Sequence, residues 1–135
     1  MPRLYREAPL NSIWEGSGNV IALDVLRALR HEPESLEGFF VEVGRAEGAD
    51  ARLDQAISRL RGEFDNGEAL EFRARTIVEQ MALALQGALL VQHAPSAVSD
   101  AFCSARLAAN RGLNYGGLPS GVDAVAIVAR HTPQG

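Results

Sequence analysis

The sequence predicts an all-α protein, a bundle of about six helices that forms one domain over residues 1–135. Two observations predict this class. Apolar residues recur at intervals of three and four along most of the chain, as on one face of a helix, and no segment shows the strict alternation of a half-buried strand. Breaks at Pro33, Gly67 and Pro95 separate the periodic segments. We therefore expect up-down neighbours joined by short loops.

The first two predicted helices cover residues 19–30 and 33–45. The polar positions of the first helix form one narrow stripe, so we expect this helix to be mostly buried. Pro33 ends the first helix and opens the second, because proline is tolerated in a first turn.

A third helix is predicted over 51–64, capped by Asp50. Its single apolar face carries Leu53, Ile57, Leu60 and Phe64. The fourth and longest helix, 68–92, is apolar almost all round in its later turns. We therefore expect it to be the central helix of the bundle.

The last two predicted helices cover 96–110 and 122–130. Ser96 is the predicted cap of the fifth helix, and Cys103, on its apolar face, is predicted to be a core residue. Gly112 suits the left-handed position after a helix end. The segment 120–123 reads as a capping box for the sixth helix.

Composition and charge exclude several classes of function. The net charge of −4 argues against a duplex-binding protein that relies on a basic face. One cysteine, and histidines only at 31, 93 and 131, make a disulfide framework or a metal site improbable, so we expect no metal. No apolar run approaches the roughly 20 residues of a membrane span, and the N-terminus lacks a secretory signal. We expect a cytoplasmic protein that does not engage a membrane.

The segment 11–19, Asn-Ser-Ile-Trp-Glu-Gly-Ser-Gly-Asn, allows two interpretations. In the first, Ser12 and Glu15 form a capping box. That would place Gly16 and Gly18 inside the first turns of a helix, where each costs roughly 1 kcal/mol. In the second, residues 11–16 form a turn and the helix starts near Ser17 or Asn19. The cost of the glycines favours the second interpretation.

In the second interpretation the motif has residues suited to proton transfer and to anion binding. Glu15 lies at the helix entrance beside Trp14, and burial next to an aromatic ring raises a carboxyl pKa, as a general base working near neutral pH requires. The first backbone N–H groups of the helix, at Ser17, Gly18 and Asn19, form a natural seat for an anion.

These residues resemble the acyl-CoA dehydrogenase family. The stretch Arg6-Glu7-Ala8 resembles its Arg-Asp-Ala, and Ile13-Trp14-Glu15-Gly16-Ser17 resembles its Ile-Tyr-Glu-Gly-Thr. The form Trp-Glu-Gly-Ser-Gly-Asn, followed by Leu-Asp-Val-Leu-Arg, is most similar to the AidB-type branch, which is linked to the adaptive response to DNA alkylation. On this resemblance, 1–31 holds the motif segment and first helix, and 32–135 is a helical extension.

The resemblance implies roles for six residues. Glu15 would be the base that removes the α-proton of an acyl-CoA thioester, and Gly16 would lie against that substrate. Trp14, in place of tyrosine, would narrow the acyl pocket. Ser17, Gly18 and Asn19 would contact FAD.

The resemblance also implies an enzyme only for a longer protein. The family's N-terminal helical region and flavin-shielding β region have no counterpart in these 135 residues. We therefore expect a C-terminal piece of an FAD-dependent oxidoreductase that is inactive alone and holds neither FAD nor acyl-CoA tightly.

Two other functions stay open. Broad apolar helix faces favour a non-enzymatic module that forms homo-oligomers. Two arginine pairs, Arg59 with Arg61 and Arg73 with Arg75, are the candidates for contacts to DNA. Their alternative is solvated helix faces paired with nearby carboxylates.

Overall fold

The computed structural model describes residues 2–12, 18–65, 69–109 and 116–132, and within them it has seven α-helices and no strand. The predicted all-α class is confirmed. The α-helices are α1 (Pro2–Glu7), α2 (Gly18–His31), α3 (Pro33–Gly44), α4 (Ala51–Asp65), α5 (Leu70–His93), α6 (Ser96–Phe102) and α7 (Ala124–His131). A 3-10 segment, Ala8–Ser12, follows α1, and a π-helical turn, Cys103–Leu107, follows α6.

Helix α5 is the central element, as its apolar later turns predict. It touches α2, α3, α4, α6 and the π-helical turn. The helices α3 to α6 and that turn enclose what we call the main core, whose largest fully buried side chains are Leu53, Leu60, Ile77, Val43 and Cys103. The predicted core position of Cys103 is confirmed.

A second, smaller cluster joins α2 to α5, and we call it the α2–α5 junction. Ala22 and Leu26 of α2 are buried against Ala74 of α5, with partly buried Phe64, Leu70 and Val78 around them. Because alanine has little side chain to bury, this contact removes far less apolar area from water than the main core does.

The prediction that the first long helix is mostly buried is wrong for the described structure. Only Ala22 and Leu26 of α2 are buried, whereas Val20, Ile21 and Leu23 are exposed. Helix α2 contacts α5 and α3 on one side. An apolar pattern reports the character of a helix surface and does not report what covers it.

The predicted Asp50 cap of α4 is confirmed. Its Oδ1 accepts hydrogen bonds from the backbone N–H groups of Arg52 at 2.8 Å and Leu53 at 3.4 Å. The Arg52 side chain donates to Asp50 Oδ2 at 2.5 Å and to Asp100 Oδ1 at 2.8 Å, and it also donates to Ser104 Oγ. These hydrogen bonds from Arg52 hold the pKa of the Asp50 carboxyl below its ordinary value. Arg52 thus ties the start of α4 to α6.

The fifth predicted helix needs two corrections. Helix α6 begins at Ser96 after Pro95, with no side-chain cap, so Ser96 is not the cap. The α-helix ends at Phe102 and continues as the π-helical turn to Leu107, short of residue 110. The backbone N–H of Ala108 donates to the Cys103 carbonyl at 3.1 Å, five residues back. The turn places both Cys103 and Leu107 in the main core. Gly112 lies outside the described residues.

The C-terminal helix also starts differently from the prediction. Helix α7 begins at Ala124, and its cap is Asp123, whose Oδ1 accepts from the backbone N–H of Ala126 at 2.9 Å. Ser120 is therefore not the cap. Gly121 has a φ of +97°, a left-handed value that interrupts a helical path between residues 120 and 123.

No helix in the described part of the chain is both long and apolar enough to cross a bilayer.

Candidate functional site

The candidate site begins at the first residues of α2. Gly18 and Asn19 are the first two residues of this helix that the structure describes, and the predicted start near Ser17 or Asn19 falls at the edge of the described residues. Ser12 lies in the 3-10 segment that ends at that residue. The residues between Ser12 and Gly18 lie outside the described part of the chain, so both interpretations of the motif stay open. Four predicted site residues lie outside the described residues: Trp14, Glu15, Gly16 and Ser17.

The structure brings one further residue to this helix start. Arg75 of α5 donates from Nη1 to Asn19 Oδ1 at 3.3 Å, across 56 positions of sequence. Its guanidinium also lies directly against Gly18. A Cβ built on Gly18 would lie 2.7 Å from Arg75 Cζ, closer than such atoms approach, and 3.0 Å from Nη2, a very tight contact. Arg75 therefore occupies the space that a side chain at position 18 would need.

The surroundings explain why Arg75 reaches this place. Its neighbour Ala74 is buried in the α2–α5 junction against Ala22 and Leu26. Towards the other end of α2, Arg30 Nη1 pairs with Glu71 Oε1 at 2.8 Å. The apolar junction therefore sets how close the two helices come. Polar contacts from α5 reach both ends of α2.

The described polar groups at the helix start are all donors or can act as donors. The first backbone N–H groups of a helix have no intrahelical partner, and Arg75 carries a permanent positive charge. Asn19 keeps its amide N–H groups once its oxygen accepts from Arg75. Together with the positive end of the α2 dipole, this donor set favours a negatively charged group.

Sequence reasoning missed Arg75 as part of this site and considered it only as a contact for DNA. No local pattern links it to Gly18 and Asn19, because the contact joins two different helices. The one available signal is Gly18 itself. A glycine in a first helical turn is explained by the close approach of another group.

The four arginines that are candidates for DNA contacts all have partners within the chain. Arg59 Nη2 donates to the Leu107 carbonyl at 3.2 Å, and the Arg61 guanidinium lies 4.2 Å from the centre of the Phe40 ring. Arg73 pairs with Glu63, and Arg75 contacts Asn19. These contacts favour the interpretation as ordinary helix faces over a nucleic-acid surface.

A separate cavity of about 320 Å³ lies between α4, α5 and the residues after α6, and α2 takes no part in it. Arg59, Gln80 and Arg106 line it together with alanine and leucine side chains. In the part of the chain that the structure describes, no three His, Cys, Asp or Glu side chains are arranged to hold a metal ion.

Comparison with known proteins identifies two relatives. The chain is 40% identical over 110 residues to the putative acyl-CoA dehydrogenase AidB of Escherichia coli (strain K12), a match that covers 79% of this chain and 19% of AidB. It is 30% identical over 87 residues to acyl-CoA dehydrogenase family member 11 of Caenorhabditis elegans, covering 64% of this chain and 14% of that protein. No family model matches the chain, and no solved structure matches it significantly.

The helical fold, the motif before α2 and these two relatives agree. The chain is a C-terminal region of the acyl-CoA dehydrogenase type. Within that class it is AidB-like. It spans about one fifth of the length of AidB, and less of the nematode relative.

Proposed function

We propose that this chain is the C-terminal part of an FAD-dependent acyl-CoA dehydrogenase, which introduces a double bond between the α and β carbons of an acyl-CoA thioester. The names of the two relatives support this class of oxidoreductase. The observation that carries the proposal is the motif at residues 13–19 in a chain that is 40% identical to AidB over 110 residues. Two of the motif residues, Gly18 and Asn19, lie in α2 beside the Arg75 guanidinium.

In the proposed reaction this chain supplies the base and part of the cofactor site. A carboxylate oxygen of Glu15 takes the α-proton of the thioester. FAD, when bound, would supply the hydride acceptor for the β-hydrogen and its electron pair. Gly16 lets the substrate approach, and Trp14 limits the width of the acyl pocket. Ser17, Gly18 and Asn19 hold the cofactor with backbone and side-chain donors.

The isolated chain is proposed to be inactive, because the rest of the binding surface belongs to other parts of such an enzyme. A purified preparation should therefore lack the flavin absorbance at about 450 nm, the region where oxidised flavin cofactors absorb. A yellow preparation with one flavin per chain would overturn this part of the proposal.

The function itself is tested in a hybrid protein in which this chain replaces the segment of E. coli AidB with which it aligns. The hybrid should bind FAD, and its flavin absorbance should bleach when acyl-CoA thioesters of several chain lengths are added without oxygen. Glu15→Gln should keep FAD and bleach about 10²–10⁴-fold more slowly, as expected for loss of a general base.

Glu34→Gln is the matched control, because Glu34 is an exposed glutamate in the first turn of α3. It should bleach at the rate of the unmodified hybrid. Equal rates for Glu15→Gln and Glu34→Gln would remove Glu15 as the base. A hybrid that binds FAD but whose flavin is bleached by none of the acyl-CoA thioesters would contradict the proposed dehydrogenase activity.

A second candidate function, self-association of a non-enzymatic helical module, is favoured by the surface of α7. Val125 is 80% exposed and Val128 is 65% exposed, three positions apart on one face of the helix. Light scattering across a concentration series tests this candidate. Val128→Asp should lower the average mass if α7 joins two copies, and an unchanged mass would exclude α7 as the interface.

A further inference from the structure

We propose that Arg75 is a positioning residue that fixes the start of α2, and with it the Asn19 side chain, for the phosphate-bearing cofactor. The inference deepens the proposed function and rests on it. The geometry that carries it is the placement of one guanidinium against both Gly18 and Asn19.

The first step concerns Gly18. The Cβ of any other residue would overlap the Arg75 guanidinium, which is the mobile end of a long side chain. Alanine at position 18 would therefore leave the α2 backbone intact and displace Arg75. Gly18 and Arg75 thus form one functional pair, in which the glycine provides the space that the arginine fills.

The second step concerns the orientation of the Asn19 amide. A guanidinium has five N–H donors and no acceptor. It can therefore face only the oxygen of the amide, and Asn19 Oδ1 is the atom that accepts from Arg75. Both N–H groups of Nδ2 are then left to donate elsewhere. Without Arg75 the amide is free to turn, and either end can face a ligand.

The third step concerns charge. The guanidinium is a cation, and it lies beside the first described residues of α2, towards the positive end of that helix. Both features favour a negatively charged group in front of this helix start. The donor set therefore suits a phosphate oxygen, and Arg75 brings this preference from α5, a helix that follows the motif by about fifty residues.

The contact itself is tested in the full 135-residue chain, without any cofactor, by the NMR signals of the Asn19 side-chain amide. Arg75→Ala should shift these signals towards the positions of a solvent-exposed asparagine. Gly18→Ala should do the same, and the double variant should add nothing further, since the two residues act as one unit.

Two matched controls separate this effect from a general loss of structure. Arg27→Ala removes an exposed arginine of α2, the helix that carries Asn19. Gly38→Ala adds a methyl group where nothing lies within 4 Å. Both should leave the Asn19 signals in place. An unchanged Asn19 amide in Arg75→Ala, or additive shifts in the double variant, would overturn the inference.

The cofactor part is tested in the AidB hybrid by FAD titration. Arg75→Ala should weaken FAD binding about tenfold, or about 1.4 kcal/mol, with little change in the melting temperature. Equal affinity in Arg75→Ala and the unmodified hybrid would overturn this inference and leave the proposed function intact. A hybrid that binds no FAD at all would remove the proposed function, and the cofactor role of Arg75 with it.

Discussion

The main core and the α2–α5 junction hold their helices in different ways. The main core packs large side chains with no exposure, among them Leu53, Leu60 and Ile77. The junction holds α2 through two alanines and Leu26. Because burial energy scales with apolar area, α2 is attached less firmly than the helices of the main core. The element that carries the candidate site is therefore the one with the weaker attachment.

This difference shows what the polar contacts at the junction are for. Exposed pairs such as Arg30 with Glu71 contribute little energy each. Hydrogen bonds are directional, however, and the one from Arg75 to Asn19 joins α5 to α2 beside the alanine contacts of the junction. In the main core, shape complementarity supplies that precision instead.

The largest expected effect on stability comes from truncating a buried leucine to alanine, once in the main core and once in the junction. Leu60→Ala should lower the free energy of unfolding by about 2–5 kcal/mol, because a fully buried leucine leaves a cavity. Leu26→Ala should lie at or below the bottom of that range, since its neighbours in the junction are few. Urea denaturation measures both values.

Hydrogen exchange of the same two variants shows which helices each substitution destabilises. Leu26→Ala should speed exchange in α2 and leave α4 and α5 protected, whereas Leu60→Ala should speed exchange throughout the main core. Equal global losses for the two variants would mean that the junction and the main core unfold as a single unit.

A smaller effect is expected from filling glycine positions in the main core and outside it. A Cβ on Gly87 of α5 would lie 3.0 Å from Leu107 Cδ1 and 3.2 Å from Leu53 Cδ1. Overpacking of this kind costs about 1–3 kcal/mol. Gly62→Ala in α4 meets nothing within 4 Å and should stabilise by up to about 1 kcal/mol. Thermal unfolding should rank Gly62→Ala above Gly87→Ala, and the reverse order would show that the core has room at Gly87.

The smallest effect concerns the charge of Asp50 at the start of α4. Asparagine also caps helices well, so Asp50→Asn mainly removes the negative charge that pairs with Arg52. The pKa of folded Asp50 lies below its ordinary value of 3.8. Its charge therefore stabilises the fold above that pH, and this contribution is lost as the pH falls through the lowered pKa.

Unfolding free energies at several pH values check this prediction. The native chain should be more stable than Asp50→Asn by about 1 kcal/mol at neutral pH. The difference should shrink in the acid range below 3.8. A difference that stays constant across this range would show that the cap works without its charge.

Much of the fold could be predicted because it depends on local chemistry. The apolar later turns of 68–92 predict the central position of α5, and Asp50 before an apolar periodic segment predicts the cap of α4. The π-helical turn could not be predicted in this way. Its residues Cys103 and Leu107 both pack in the main core, but residues four apart share one face of an ordinary α-helix as well, so periodicity does not distinguish the two.

The candidate site was predictable only in part for a similar reason. Gly18 and Asn19 belong to a continuous motif, so the sequence identifies them directly. Arg75 reaches them from another helix across 56 positions, and a single sequence contains no record of such a contact. The exposed apolar face of α2 shows the same limit, because a sequence pattern predicts that a helix face is apolar and does not predict which surface packs against it.

The cysteine at position 103 gives this chain a chemical reporter of its own. It is the only thiol in the sequence, it has no solvent exposure, and burial raises its pKa to about 11. A thiol reagent at neutral pH can therefore modify only those molecules in which α4, α5 and α6 have come apart. The labelling rate measures that opening without any engineered probe, and movement of α2 alone leaves it unchanged.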